Sequence, residues 1–129
     1  MSPANRLDVL VAEDRRDHAA ALRTLLEADG HAVRVAPDGE VALAEVLAAV
    51  PDVLLLDLDL PKLDGLSVAA AVRQVDASKR PWVVAVTGHG ERWVRDKAVQ
   101  AGVDVYFVKP LDPNKLRAVL RLCHRPVTV

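Results

Sequence analysis

Five short runs rich in Val, Leu and Ala recur along the chain, at 7–12, 32–35, 53–57, 82–87 and 103–108. The runs Val53-Leu54-Leu55-Leu56 and Val83-Val84-Ala85-Val86 are apolar at successive positions, which suits strands covered on both faces. Between the runs the apolar spacing changes to that of helices. The candidate faces are Ala19, Leu22, Leu25 and Leu26; Val41, Leu43, Ala44 and Leu47; Leu66, Ala69, Val72 and Val75; Val94, Ala98 and Ala101; and Leu116, Val119, Leu120 and Cys123. Five strands should therefore alternate with five helices.

The residues between these segments support the alternation. Gly30, Gly102 and the Pro51-Asp52 pair follow helices, Asp38 and Asp64 are placed to cap helix starts, and Asp112-Pro113 sets a cap before a proline at the first helical position. Strict βα alternation with short connections predicts an α/β domain: right-handed crossovers, one parallel sheet and helices on both faces. No repeat or low-complexity stretch interrupts it.

Composition narrows the candidates for function. A chain of 129 residues suits one domain, and a net charge of -1 carries no broad basic field for nucleic acid. Cys123 is the single cysteine, which excludes an internal disulfide and a multi-thiolate metal site and reads as an apolar filler. No secretory leader or bilayer-length apolar run is present, so the expectation is a cytoplasmic protein without membrane insertion. With nothing after Val129, no output domain is expected.

Open parallel sheets bind ligands beyond the carboxyl ends of their strands. Glu13 and Asp14 end the first run, Asp57 the third with Asp59 just beyond, Thr87-Gly88 the fourth, and Lys109-Pro110 the fifth. Carboxylates brought together there repel and need a cation, and a hard ion with oxygen ligands such as Mg2+ suits them. Such an ion, a lysine and a hydroxyl around one more carboxylate make a set for phosphoryl transfer, with Asp57 as nucleophile.

These segments, "VLVAED", "GHAVRVAPDGEVAL", "PDVLLLDLDLPKLDG", "VVAVTGHG" and "AGVDVYFVKP", together resemble the receiver domains of two-component response regulators of the CheY type. The resemblance covers residues 8 to about 122 and implies a flavodoxin-like, doubly wound (βα)5 sheet in the order 2-1-3-4-5. It implies Asp57 as phosphoacceptor, with Mg2+ held by Glu13, Asp14, Asp57 and the backbone carbonyl of Asp59. Thr87 and Lys109 would bind phosphoryl oxygens, Tyr106 would change rotamer on phosphorylation, and Pro110 would follow a cis bond. The implied function is a switch or phosphorelay receiver that promotes its own phosphorylation and dephosphorylation. Its partners would be a sensor histidine kinase or histidine phosphotransfer protein and a separate downstream protein, with no direct contact to nucleic acid.

Other readings stand beside these. Glu13 and Asp14 could instead cap the first helix. The Asp59 side chain either faces solvent or alters access of the attacking water. His18 and His89 read as solvated loop histidines, and any role for His89 would be in tuning dephosphorylation. Trp93, Lys97 and Tyr106 could form a partner face, although Trp93 adjoins the core-facing Val94 and could be partly buried. From another class, Asp57-Leu58-Asp59 could be the Asp-x-Asp of a haloacid-dehalogenase-like phosphatase, with Asp59 as general acid. That family usually carries the motif on its first strand, whereas here it falls on the third.

Overall fold

Alternation of apolar runs and amphipathic stretches becomes, in a computed structural model describing residues 6–76 and 78–123, five βα units. They are β1 (Asp8–Ala12), α1 (Arg16–Ala28), β2 (Ala32–Ala36), α2 (Gly39–Ala48), β3 (Val53–Asp57), α3 (Gly65–Val72), β4 (Trp82–Thr87), α4 (Arg92–Ala101), β5 (Val105–Val108) and α5 (Pro113–Leu122). All strand pairs are parallel, in the order β2-β1-β3-β4-β5.

Strand side chains alternate between two cores because successive residues point to opposite faces. Leu10, Leu54, Leu56 and Val83 pack with Ala42, Val46, Val68, Val72, Val94 and Ala98, beneath α2, α3 and α4. Val9, Val11, Val53, Leu55 and Val84 pack with Leu26, Leu116, Leu120 and Cys123, beneath α1 and α5. Every residue of β3 is buried, so the central strand has little latitude to shift. Burial pushes the Cys123 thiol up to about 11, consistent with its reading as an inert filler.

Three expectations need correction. On α2 the buried residues are Gly39, Ala42 and Val46, while Leu47 is 65% exposed and Val41 also faces out. This helix is apolar nearly all round, so its sequence offers no polar face by which to choose an orientation. On α3, Val68 belongs to the buried face along with Ala69 and Val72. Finally, β5 begins at Val105 instead of Val103, because the Val103 N–H donates to Ala98 O in the helix ending at left-handed Gly102.

Helix starts behave as the sequence suggests. Val41 N–H donates to Asp38 Oδ1 at 2.9 Å, Ser67 N–H to Asp64 Oδ1 at 3.0 Å, and Asn114 N–H to Asp112 Oδ1 at 2.9 Å. At the opposite end of the sheet, Asp52 Oδ2 accepts from Asp8 N–H at 2.8 Å, joining the starts of β1 and β3.

The loop after β3 is pressed against two glycines. A Cβ on Gly39 would lie 1.7 Å from Leu63 O, and one on Gly65 would lie 2.5 Å from Leu58 Cα. Gly39→Ala is therefore expected to lower unfolding stability by more than about 2 kcal/mol in urea titration, since backbone atoms would have to move. An unchanged midpoint would show that the loop yields easily.

Candidate functional site

The parallel register brings five strand ends to one edge. Asp57 pairs with Val86 across β3 and β4, so Thr87 and Gly88 begin one step beyond the acid. Ala12 pairs with Leu56, which places Glu13 and Asp14 on the other side. Lys109 follows β5, and its N–H donates to Thr87 O at 2.8 Å. The Lys109-Pro110 bond is cis, as the resemblance implies.

Asp57 is buried and held at both oxygens. Lys109 Nζ donates to Oδ2 at 2.9 Å, and Asp59 N–H donates to Oδ1 at 2.9 Å. Burial would raise the Asp57 pKa, but hydrogen bonding to Glu13, the Asp59 amide and Lys109 outweighs it and leaves the carboxyl below its ordinary value. Burial would likewise lower Lys109, and the Asp57 hydrogen bond and charge more than reverse that.

Glu13 carries the opposite shift. Burial first, then its hydrogen bond to Asp57 and that group's charge, push it up to about 8. Its buried Oε1 has no hydrogen bond, with His18 Nδ1 standing 3.4 Å away. Glu13, Asp14 and Asp57 each offer an oxygen within 4.8 Å of the others. Three converging carboxylate oxygens, with a buried unsatisfied oxygen on Glu13, fit a hard divalent cation, and among the described residues no cysteine or histidine belongs to the group to favour a softer one.

Neither Glu13 nor Asp14 is the N-cap residue of α1. Arg15 is the N-cap of α1, and it makes no side-chain cap.

Beyond Asp57 lies a second group. The Thr87 hydroxyl donates to Asp59 Oδ2 at 3.4 Å and accepts from His89 N–H at 3.1 Å. Gly88 N–H also donates to Asp59 Oδ2 at 3.4 Å. His89 Nε2 is 3.6 Å from Asp59 Oδ1 and Nδ1 is 3.8 Å from Glu91 Oε2, so the ring is solvent-exposed, as expected of a loop histidine, and also lies among acids. Tyr106 OH donates to His89 O, and burial followed by the charges of Glu91 and Asp59 raises its pKa.

Trp93 is 61% exposed with Lys97 Nζ 5.3 Å from its ring centroid, which settles its orientation in favour of the surface. His18 is exposed, as the solvated reading expects, while the first turn of α1 brings its Nδ1 to 3.4 Å from Glu13 Oε1. Only tertiary placement reveals that proximity. A cavity of about 500 Å3 opens beside Asp57 and Lys109, walled by Leu22, Leu55, Val86 and Leu111 under α1.

A response regulator receiver domain family model matches residues 9–121. The chain belongs to this family. Receiver domains are phosphoacceptors of two-component signalling and not conventional enzymes. An uncharacterized 14.6 kDa protein of Leptolyngbya boryana is 32% identical, covering 95% of each chain. The transcriptional regulatory protein ResD of Bacillus subtilis is 34% identical across 94% of this chain, which spans 51% of ResD. Thus the receiver chain is about half the length of that relative. The solved receiver domain of a sensor histidine kinase from Pseudomonas aeruginosa superposes with a TM-score of 0.82 at 26% identity, covering 91% of this chain and 96% of that one. That structure holds a magnesium ion coordinated in its active-site cleft. The matches lend no support to the dehalogenase-like alternative. Among the described residues, no helix is long and apolar enough to cross a membrane.

Proposed function

We propose that this receiver operates as a Mg2+-dependent switch or relay in which Asp57 accepts a phosphoryl group from a phosphohistidine. The donor would be a sensor histidine kinase or a histidine phosphotransfer protein. The observation carrying this reading is a buried carboxylate, depressed in pKa, held between the Lys109 ammonium and an acidic pair with an unsatisfied oxygen.

In the transfer, an Asp57 oxygen forms the new P–O bond as the donor P–N bond breaks. The electron pair of that bond returns to the imidazole, which leaves neutral when its other nitrogen carries the proton. Glu13, Asp14, Asp57 and the Asp59 carbonyl would hold Mg2+, which when bound supplies positive charge to the phosphoryl oxygens. Lys109, already on Asp57, neutralises a second oxygen, and the Thr87 hydroxyl donates to a third. Hydrolysis reverses the covalent link: water forms a P–O bond, inorganic phosphate leaves, and the Asp57 carboxylate is restored. Asp59 and His89, at the outer rim, would tune how readily water reaches the phosphorus.

The phosphoryl group adds about two negative charges and three acceptors, so it pulls on whichever loops carry its donors. Thr87 is linked through His89 to Tyr106, since His89 N–H donates to Thr87 Oγ1 and His89 O accepts from Tyr106 OH. That chain of contacts would carry the change to a partner face containing Trp93, Lys97 and Tyr106, read by a separate protein. Residues 1–129 would act as one receiver domain with its core at about 7–123.

The test is incubation of the protein with phosphoramidate and Mg2+, followed by intact mass in acid and in hydroxylamine. One added phosphoryl group, absent with a chelator and removed by hydroxylamine, is expected. No uptake by the folded protein would overturn the reading.

A further inference from the structure

Asp59 is more constrained than a residue two past the acceptor needs to be. Its backbone N–H fixes Asp57 Oδ1 at 2.9 Å, while its side-chain Oδ2 takes both Thr87 Oγ1–H and Gly88 N–H at 3.4 Å. Two donors converging on one anionic oxygen form a small anion site, and here the occupant is a carboxylate of the protein itself. The side chain is 43% exposed and both bonds are long, so the hold is weak and reversible.

From this geometry we infer that the Asp59 carboxylate is a resident competitor for the phosphoryl site. It occupies the two donors that a phosphoryl group on Asp57 must recruit, and phosphorylation displaces it toward His89. The inference rests on Asp57 being the phosphoacceptor. It goes further by assigning Asp59 a state before phosphorylation: a built-in occupant that slows entry of the phosphoryl group.

Four points support displacement over coexistence. A phosphoryl group brings three acceptor oxygens, and Lys109 supplies one ammonium that already bonds Asp57 Oδ2. Thr87 has a single hydroxyl proton, so it cannot donate to Asp59 and to a phosphoryl oxygen together. Asp59 Oδ1 is already 3.6 Å from His89 Nε2, giving the released carboxylate a partner at the outer rim. The path past Gly88 is open, since even a Cβ added there would come no nearer than 4.0 Å to Asp59 Oδ2.

The test compares phosphorylation rates of wild type, Asp59→Asn and Asp59→Ala with phosphoramidate and saturating Mg2+, at low salt and at 1 M salt. Both variants keep the backbone carbonyl and N–H. If the donors are clear of Asp59 about a tenth of the time, Asp59→Ala gains about tenfold. Asp59→Asn falls between wild type and Asp59→Ala, because an amide oxygen still accepts from Thr87 and Gly88 without the charge. The gain persists at 1 M salt, where through-space repulsion is screened within roughly 3 Å. In amide NMR of the unphosphorylated proteins, the Gly88 signal of Asp59→Ala moves away from that of wild type; after phosphorylation the two coincide.

Equal rates for Asp59→Asn and Asp59→Ala, with gains that vanish at high salt, would show simple charge repulsion and overturn the competitor assignment. Unchanged rates in both variants would overturn it as well. Wild type that never labels would instead bring down the phosphoacceptor reading beneath it.

Discussion

Replacing Lys109 with methionine is expected to slow phosphorylation by about 10^2- to 10^3-fold, the usual effect of removing one preorganised charge partner from a developing anion. The ammonium lies 2.9 Å from Asp57 Oδ2, and its N–H backbone group is tied to Thr87 O, so its position is set before any donor arrives. Methionine keeps the apolar stem that lines the cavity under α1 and removes only the charge.

The same substitution leaves a buried Asp57 without its cation. Because Lys109 is about a third exposed, the stability cost at neutral pH should be about 1–3 kcal/mol, below that of a fully enclosed pair. Combining it with Asp57→Asn should recover most of that loss, since no orphan charge remains. Wild-type labelling kinetics in Lys109→Met would remove the lysine from the account of the transfer.

The second large effect is on pH and metal. Glu13 is held up to about 8 in the folded protein, against 4.5 as its ordinary value. Between those values the folded protein keeps a proton that the unfolded chain has lost. Stability contributed by this group is thus complete below about pH 4.5 and declines as pH rises toward 8, by on the order of 2–4 kcal/mol without metal. Asp57, shifted downward, has already gained its contribution above its ordinary 3.8 and does not alter that window.

Bound at these carboxylates, Mg2+ would take the place of the proton as compensation for the clustered acids. If Glu13 must ionise for the cation to bind, affinity should rise by about 30-fold from pH 6.5 to 9, with one proton released per ion at the lower pH. Glu13→Gln should flatten the metal-free stability profile. Calorimetry at the two pH values checks both points, and a metal-free profile that stays flat from pH 5 to 8 would contradict the Glu13 assignment.

Much of this architecture was legible from residue pattern. A both-faces-apolar run such as Val53 to Leu56 has only one comfortable place, the middle of a covered parallel sheet, and β3 occupies it. Ordering the ends of such strands brings Glu13, Asp57, Thr87 and Lys109 together without knowledge of any side-chain contact. The α2 face was not legible, because Val41, Ala44 and Leu47 are as apolar as the buried Ala42 and Val46. Interactions around Asp59 and His18 were hidden for a different reason. Each depends on how a loop or first helical turn folds back over a neighbouring strand end, and local spacing carries no record of that.

The central claim, that Asp57 is the residue modified, is tested most directly by intact mass and peptide mapping of wild type and Asp57→Asn after incubation with phosphoramidate and Mg2+. The account predicts one hydroxylamine-sensitive phosphoryl group on the wild-type peptide containing Asp57 and none on the folded variant. Equal labelling of Asp57→Asn, or a label mapped to Asp14 or Asp59, would contradict it.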